Sequence, residues 1–134
     1  MTREEFQRWL SQYELAWRMP GTRGLADLFA LSATYRMGPY RELQRGLDAI
    51  AELWERERDG HDEVFELATE VLAVEGDVGV ATVRVNYGDP VTQEYRELWV
   101  ARFDESGRCA EFEEWPHWPP GTNGDASPSS RQAR

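Results

Sequence analysis

Four side chains in this sequence could hold or move a proton at an enclosed site. Glu97, Glu113 and Glu114 lie in the segments QEYRELWVARF and CAEFEEW, and Tyr13 lies near the amino terminus. A carboxylate placed in an apolar hollow resists ionisation, so its pKa rises toward the range useful to a general acid or base. A phenol nearby can donate to a ligand oxygen. Alternation along an extended chain puts Glu97 on one face with Trp99, and Glu114 on one face with Phe112. The competing reading pairs these acids with Arg84, Arg96 or Arg102 across neighbouring strands. For Tyr13 and its neighbour Trp17, the competing reading is plain core packing with one hydrogen bond.

Other chemistries are poorly served. Glu113, Glu114 and His117 offer two adjacent acids pointing to opposite faces and one histidine, a weak set of ligands, so no metal is expected. Cys109 begins a strand, has no helix N-terminus beside it and has acidic neighbours apart from Arg108, which argues against a reactive thiolate. The chain has no glycine-rich phosphate loop and no Ser-His-Asp pattern, and no cofactor is expected.

The elements that must position these groups follow from periodicity. Thr2 and Glu5 form a capping box, after which Phe6, Trp9, Leu10, Tyr13, Ala16 and Trp17 share one helical face. Pro20-Gly21 ends that helix. Thr22 is expected to cap a shorter one that carries Leu25, Leu28 and Phe29 inward. Ala33 to Met37 reads as a short strand and Tyr40 to Arg45 as a polar loop. Leu47, Ile50, Ala51 and Trp54 make the stripe of a third helix, stopped by Asp59-Gly60-His61-Asp62. From Val64 the period becomes two. Strands are expected over Val64 to Val74, Val78 to Tyr87, Gln93 to Phe103 and Cys109 to Trp115, with a hairpin turn at Glu75-Gly76-Asp77. Helices followed by an antiparallel meander imply an α+β domain over 1–118. Residues 119–134, rich in Gly, Pro and Ser, are expected to be a disordered tail.

Bulk properties narrow the field. A chain of 134 residues is one domain by length, and 40 % hydrophobic residues are enough for a real core. Six Trp in so short a chain point to a core, a pocket or an interface. All fifteen basic residues are Arg, and the formal net charge is −10. So acidic a domain without a basic cluster suits neither nucleic acid nor an anionic membrane. The single cysteine excludes an intramolecular disulfide and, with no signal-like amino terminus, leads us to expect a cytoplasmic protein. No apolar run is long enough to span a membrane as a helix. In Gln93 to Phe103, Leu98 and Val100 alternate with Trp99 and Ala101, so both faces of the strand are apolar. The face bearing Leu98, Val100, Val80 and Thr82 needs a cover, and we expect a second copy of the chain, making a homodimer.

Several short motifs then occur in a consistent order. They are Leu28-Phe29-Ala30 with Ala33-Thr34-Tyr35, Gly46 with Ala49-Ile50 and Trp54, and the Leu72–Asp77 hairpin. The turn Arg102-Phe103-Asp104 to Gly107-Arg108 follows, leading to Glu111-Phe112 and Trp115. In these residues the chain resembles the nuclear transport factor 2-like superfamily, which includes the SnoaL-like polyketide cyclases and ketosteroid isomerase, over about residues 5 to 118. The resemblance implies a cone-shaped, curved antiparallel sheet wrapped around three N-terminal helices, a cystatin-like or SnoaL-like roll. It also implies that Tyr35, Trp54, Trp99 and Phe112 point into the cone, with Glu97 and Glu114 inward beside them. An aromatic hollow of that kind suits a small hydrophobic ligand, unless the same rings fill it.

Function does not follow from that fold alone, because one scaffold hosts isomerases, cyclases, dehydratases and non-catalytic binders. The tyrosine of a ketosteroid isomerase is matched here by Tyr13. The proton-moving aspartate falls on Met37 or Gly38, and the strand aspartate falls on Trp99, so two of three roles are missing. Dehydratase chemistry on this fold uses pocket histidine and aspartate, and His61 and His117 sit at the ends of elements. The resemblance therefore leaves two expectations. One is a pocket protein with acid/base chemistry through Tyr13 and Glu114. The other is a non-catalytic interaction module with a filled cone.

Overall fold

A computed structural model of the chain describes residues 1–58 and 63–125. The turn expected at Asp59-Gly60-His61-Asp62, and with it His61, lies outside the described residues. Three helices, α1 (Arg3–Arg18), α2 (Leu25–Leu28) and α3 (Leu47–Glu57), precede or interrupt the first strands. The strands are β1 (Phe29–Arg36), β2 (Gln44–Arg45), β3 (Phe65–Glu75), β4 (Val78–Tyr87), β5 (Gln93–Phe103) and β6 (Cys109–His117). They form one curved sheet in the order β2-β1-β6-β5-β4-β3. The architecture is an α+β cone. No helix among the described residues is long and apolar enough to cross a membrane.

The sheet is mixed, not purely antiparallel as expected. β3 to β6 form the antiparallel meander, but β1 lies parallel to β6, with Tyr35 opposite Phe112 and Arg36 opposite Glu113. The chain between them carries β2 and α3 before the meander begins, which allows β1 to enter in the same direction as β6. β1 is also longer than expected. Phe29, anticipated on a helix end, opens the strand, because α2 is a single turn whose cap is Gly24, not Thr22. The loop expected at 40–45 contributes β2, held to β1 through Thr34 opposite Arg45.

Helix α1 starts as its capping box predicts. The Glu5 amide donates to Thr2 Oγ1 at 3.0 Å, and the Thr2 amide donates to Glu5 Oε1 at 2.8 Å. Its apolar face then crosses the inner surface of the sheet. Phe6 packs edge-on against Phe103 at 5.9 Å, Trp9 against Phe103 at 5.2 Å, and Tyr13 against Trp99 at 4.6 Å. The Trp9 indole donates to the Leu28 carbonyl at 3.0 Å, tying α1 to α2 with its one polar group satisfied.

The helix approaches the sheet closely at Gly79, where an added Cβ would stand 2.7 Å from the Phe6 ring. At the hairpin tip, Gly76 has φ +58°, the left-handed conformation that the tight β3–β4 turn requires.

The other end of α1 is fixed by Arg58, which follows α3. Its guanidinium donates to the Trp17, Met19 and Gly21 carbonyls and to Glu55. It thus meets carbonyls that a helix C-terminus leaves unpaired, and it joins α1 to α3.

Candidate functional site

The space between α1, α3 and the inner face of the sheet is a cavity of about 100 Å³. Tyr13 and Trp17 of α1, Tyr35 of β1 and Trp54 of α3 line one side, and Glu97, Trp99 and Glu114 of β5 and β6 line the other. The cone is therefore neither wide open nor fully closed. Its aromatic side chains fill most of it and leave a narrow pocket, small beside the roughly 300–1,000 Å³ of sites for drug-sized ligands. Phe112, expected on the wall, is a correction. It is buried behind that wall, packed on Tyr35 at 4.8 Å, Trp99 at 5.3 Å and Tyr13 at 5.7 Å. Opposite Ala101 in the register, it sits too deep in the cone to meet the pocket.

Among the described residues the two inward acids form no ion pair with arginine. Arg84 and Arg96 stand opposite each other on β4 and β5, on the face away from Glu97. A one-residue offset along a strand sends a side chain to the other surface, so Glu97 cannot reach either. Arg102 takes Glu111 at 3.5 Å, and Arg36 takes Glu113. Of the three acids Glu97, Glu113 and Glu114, only Glu113 takes an arginine among the described residues, and it is Arg36 rather than the expected Arg84, Arg96 or Arg102.

Glu97 and Glu114 face each other instead. The register sets Trp99 opposite Glu114, with Glu97 two residues before Trp99 on the same face. The Trp99 indole donates to Glu97 Oε1 at 2.7 Å. The Tyr35 hydroxyl donates to Glu114 Oε1 at 2.7 Å, and the Tyr13 hydroxyl lies 2.7 Å from that of Tyr35. Since Tyr35 gives its proton to the carboxylate, Tyr13 donates to Tyr35. A relay thus runs from α1 through β1 to β6.

The electrostatics follow from burial and like charge. Desolvation, and then the neighbouring Glu97, push the Glu114 carboxyl well above the usual carboxylate range, against the smaller opposing effect of the Tyr35 hydrogen bond. Two carboxyls this close share a proton more easily than both ionise. Burial, reinforced by Glu114, raises Tyr13 and Tyr35 far above the usual phenol value, so both stay protonated and serve as donors.

The mouth is built from residues that the sequence reading left aside. Tyr87 and Tyr95 complete the aromatic wall, and Trp118 packs edge-on to Tyr95 at 6.4 Å. Alternation along β5 already puts Tyr95 on the face of Glu97 and Trp99, a signal open to use. Part of the expected disordered tail also belongs here. The Tyr95 hydroxyl donates to the Gly124 carbonyl at 2.8 Å, Gln93 donates to Thr122 at 3.0 Å, and Arg41 pairs with Asp125 at 3.2 Å. Residues 118–125 thus run back across the mouth. The remaining tail, 126–134, lies outside the described residues.

His117 is exposed at the end of β6, away from the acid pair. Cys109 is buried, its thiol pushed far up by desolvation. Among the described residues no group of three or more His, Cys, Asp or Glu is arranged to hold a metal ion.

No family model matches the sequence, and no curated protein matches it either. Solved structures do match in fold. One is a proposed isomerase of the SnoaL-like family from Agrobacterium tumefaciens, with TM-score 0.69 and 16 % identity over 85 % of this chain and 98 % of that one. Another is an NTF-2 like protein from Burkholderia xenovorans, with TM-score 0.68 and 15 % identity over 90 % of this chain and 89 % of the other. A third is a computationally designed 17-OHP binder, with TM-score 0.67 and 12 % identity over 87 % of this chain and 97 % of that one. The chain has the nuclear transport factor 2-like, SnoaL-like fold.

Proposed function

We propose that this SnoaL-like cone is a small-molecule pocket protein whose Glu114 carboxyl works as a general acid or base on the bound ligand. One observation carries the reading: Glu114 lines an aromatic cavity beside Glu97, with its pKa raised well above the usual carboxylate range by burial and with Tyr35 and Tyr13 aligned behind it. A carboxyl that resists ionisation in this way can give or take a proton, as isomerase, cyclase or dehydratase-like reactions require. Trp17, Tyr35, Trp54 and Trp99 supply the apolar contact, and Glu97 is the neighbouring charge that helps raise Glu114. Fold relatives described as an isomerase and as a designed binder support a pocket on this scaffold, while their low identity leaves the ligand open.

The same reading includes a homodimer through the outer sheet face. That face carries Leu98 and Val100 beside Leu72, which is 49 % exposed. Arg84 of β4 and Arg96 of β5 stand opposite each other there, with Glu66 and Glu70 on the neighbouring β3 and Glu94 on β5. Mixed charge around an apolar stripe lets a two-fold-related copy set arginines against glutamates.

The test of the pocket is a titration of intrinsic tryptophan fluorescence with a panel of small hydrophobic molecules, in wild type, Tyr13→Phe and Glu114→Gln. A saturable change in wild type, weakened in either variant, supports the site. A folded protein whose fluorescence no member of the panel alters favours the filled-cone interaction module.

A further inference from the structure

The pocket carries a net charge that its own residues do not neutralise. Glu97 and Glu114 form no ion pair among the described residues. The arginine on the cavity lining, Arg41, is engaged at the mouth by Asp125 at 3.2 Å. Nor does the opposite wall supply a cation, since α1 and β1 face the acids with the neutral phenols of Tyr13 and Tyr35.

Aromatic rings line the cavity around this acid pair. Tyr13 lies 4.6 Å from Trp99 and 5.0 Å from Trp54, and Trp54 lies 4.9 Å from Trp17, ring centre to ring centre. The negative face of such rings attracts cations, most strongly in tryptophan. Two of these indoles already hold one, because the Arg58 guanidinium stands 5.4 Å from Trp17 and 5.7 Å from Trp54. Its charge is met by Glu55 at 2.7 Å, so it does not neutralise the cavity acids.

A separate observation points to a ligand in the same space. Trp54 lines the cavity, is 1 % exposed, and has an Nε1–H with no hydrogen-bond partner among the described residues. A buried donor is seldom left unpaired in a native protein, and an oxygen on a bound molecule would satisfy it. The space of about 100 Å³ suits a compact group better than a polycyclic one.

We propose that the cavity takes a small organic cation, a protonated or quaternary amine that also bears an oxygen acceptor, with its charge against Glu97 and Glu114 and its oxygen on Trp54 Nε1. This rests on the pocket described above and changes the ligand class from merely hydrophobic to cationic. Binding of the cation would displace the proton that the acid pair shares.

Choline and 3,3-dimethyl-1-butanol make the test, because they share shape and hydroxyl and differ in charge. Each is titrated into the full chain by calorimetry and tryptophan fluorescence, with Glu97→Gln, Glu114→Gln and Trp54→Phe alongside. Choline is expected to bind at least about tenfold more tightly than the neutral isostere, to release protons, and to gain affinity as pH rises. Either Gln variant is expected to abolish that preference, and Trp54→Phe to weaken choline while keeping it. Equal or tighter binding of the alcohol overturns the cation proposal and leaves the pocket standing. Failure of both probes while a neutral compound of the hydrophobic panel binds also overturns it. Failure of every compound in both sets removes the pocket reading itself.

Discussion

The Tyr35 hydroxyl on β1 donates a hydrogen bond to Glu114 on β6 at 2.7 Å, although the two residues are 79 positions apart in the chain. The contact exists because β1 enters the sheet parallel to β6, with Tyr35 level with Phe112 and Glu114 one same-face step further on. Antiparallel entry of β1 would run the strand the other way and carry Tyr35 away from Glu114. The parallel pairing is therefore what brings the Tyr13–Tyr35 relay to the acid pair that the β5–β6 register sets.

Stability should fall as pH rises because of Glu114. Its folded pKa lies above the unfolded value of about 4.5, so its contribution is complete below that value and is lost as pH climbs through the raised one. Glu114→Gln removes this slope. Urea midpoints in mildly acidic and mildly alkaline buffer should converge for the variant, which should exceed wild type at the alkaline end by on the order of 1 kcal/mol. A wild-type midpoint that rises from acid to alkali in a Glu114-dependent way would contradict the assignment.

Gly79 should tolerate no side chain. A Cβ there would press on the Phe6 ring at 2.7 Å, in a core where Phe6 is fully buried against Phe103. Overpacking of this kind costs about 1–3 kcal/mol, so Gly79→Ala should lower the unfolding free energy by that amount. Chemical denaturation measures it, and Gly107→Ala is a comparison whose Cβ meets nothing, though its φ of +86° carries a backbone cost of its own.

Cys109 should be inert in the native protein. It is fully buried, and desolvation keeps its thiol protonated far beyond neutral pH. Alkylation followed by mass spectrometry should show modification only once denaturant unfolds the chain. Rapid labelling without denaturant would show that β6 opens readily near its start.

The outer face should hold a second copy. Light scattering is expected to give a dimer for wild type and a monomer for Leu98→Glu, because an acid in the middle of the apolar stripe would be buried unpaired. A wild-type mass that stays monomeric at every concentration removes the interface.

Much of this was legible in the amino-acid order, and the gaps have physical causes. Strands β3 to β5 announce themselves because a half-buried strand writes a period of two, and the Gly76 turn is forced by its conformation. That Glu97 and Glu114 face inward beside Trp99 was readable from alternation within the family register. Their partner was not, because pairing of Glu114 with Tyr35 depends on the direction of β1, a choice made by contacts distant in sequence. The start of β1 at Phe29 was missed for a related reason. Its residues read equally well as a helix end, and β6 decides the matter. The segment 118–125 looks like a solvated tail by composition. It is held by the hydroxyl of Tyr95 and the amide of Gln93, which composition does not reveal.

The whole account turns on whether the paired acids of β5 and β6 share an enclosed, water-poor chamber. Carbon-13 NMR of glutamate-labelled protein, with Glu114→Gln used to assign the signal, reads this directly. The account predicts that the Glu114 carboxyl titrates well above about 4.5, and that its midpoint falls when Glu97→Gln removes the neighbouring charge. A Glu114 signal that titrates at or below the ordinary glutamate value, unmoved by that substitution, would contradict it.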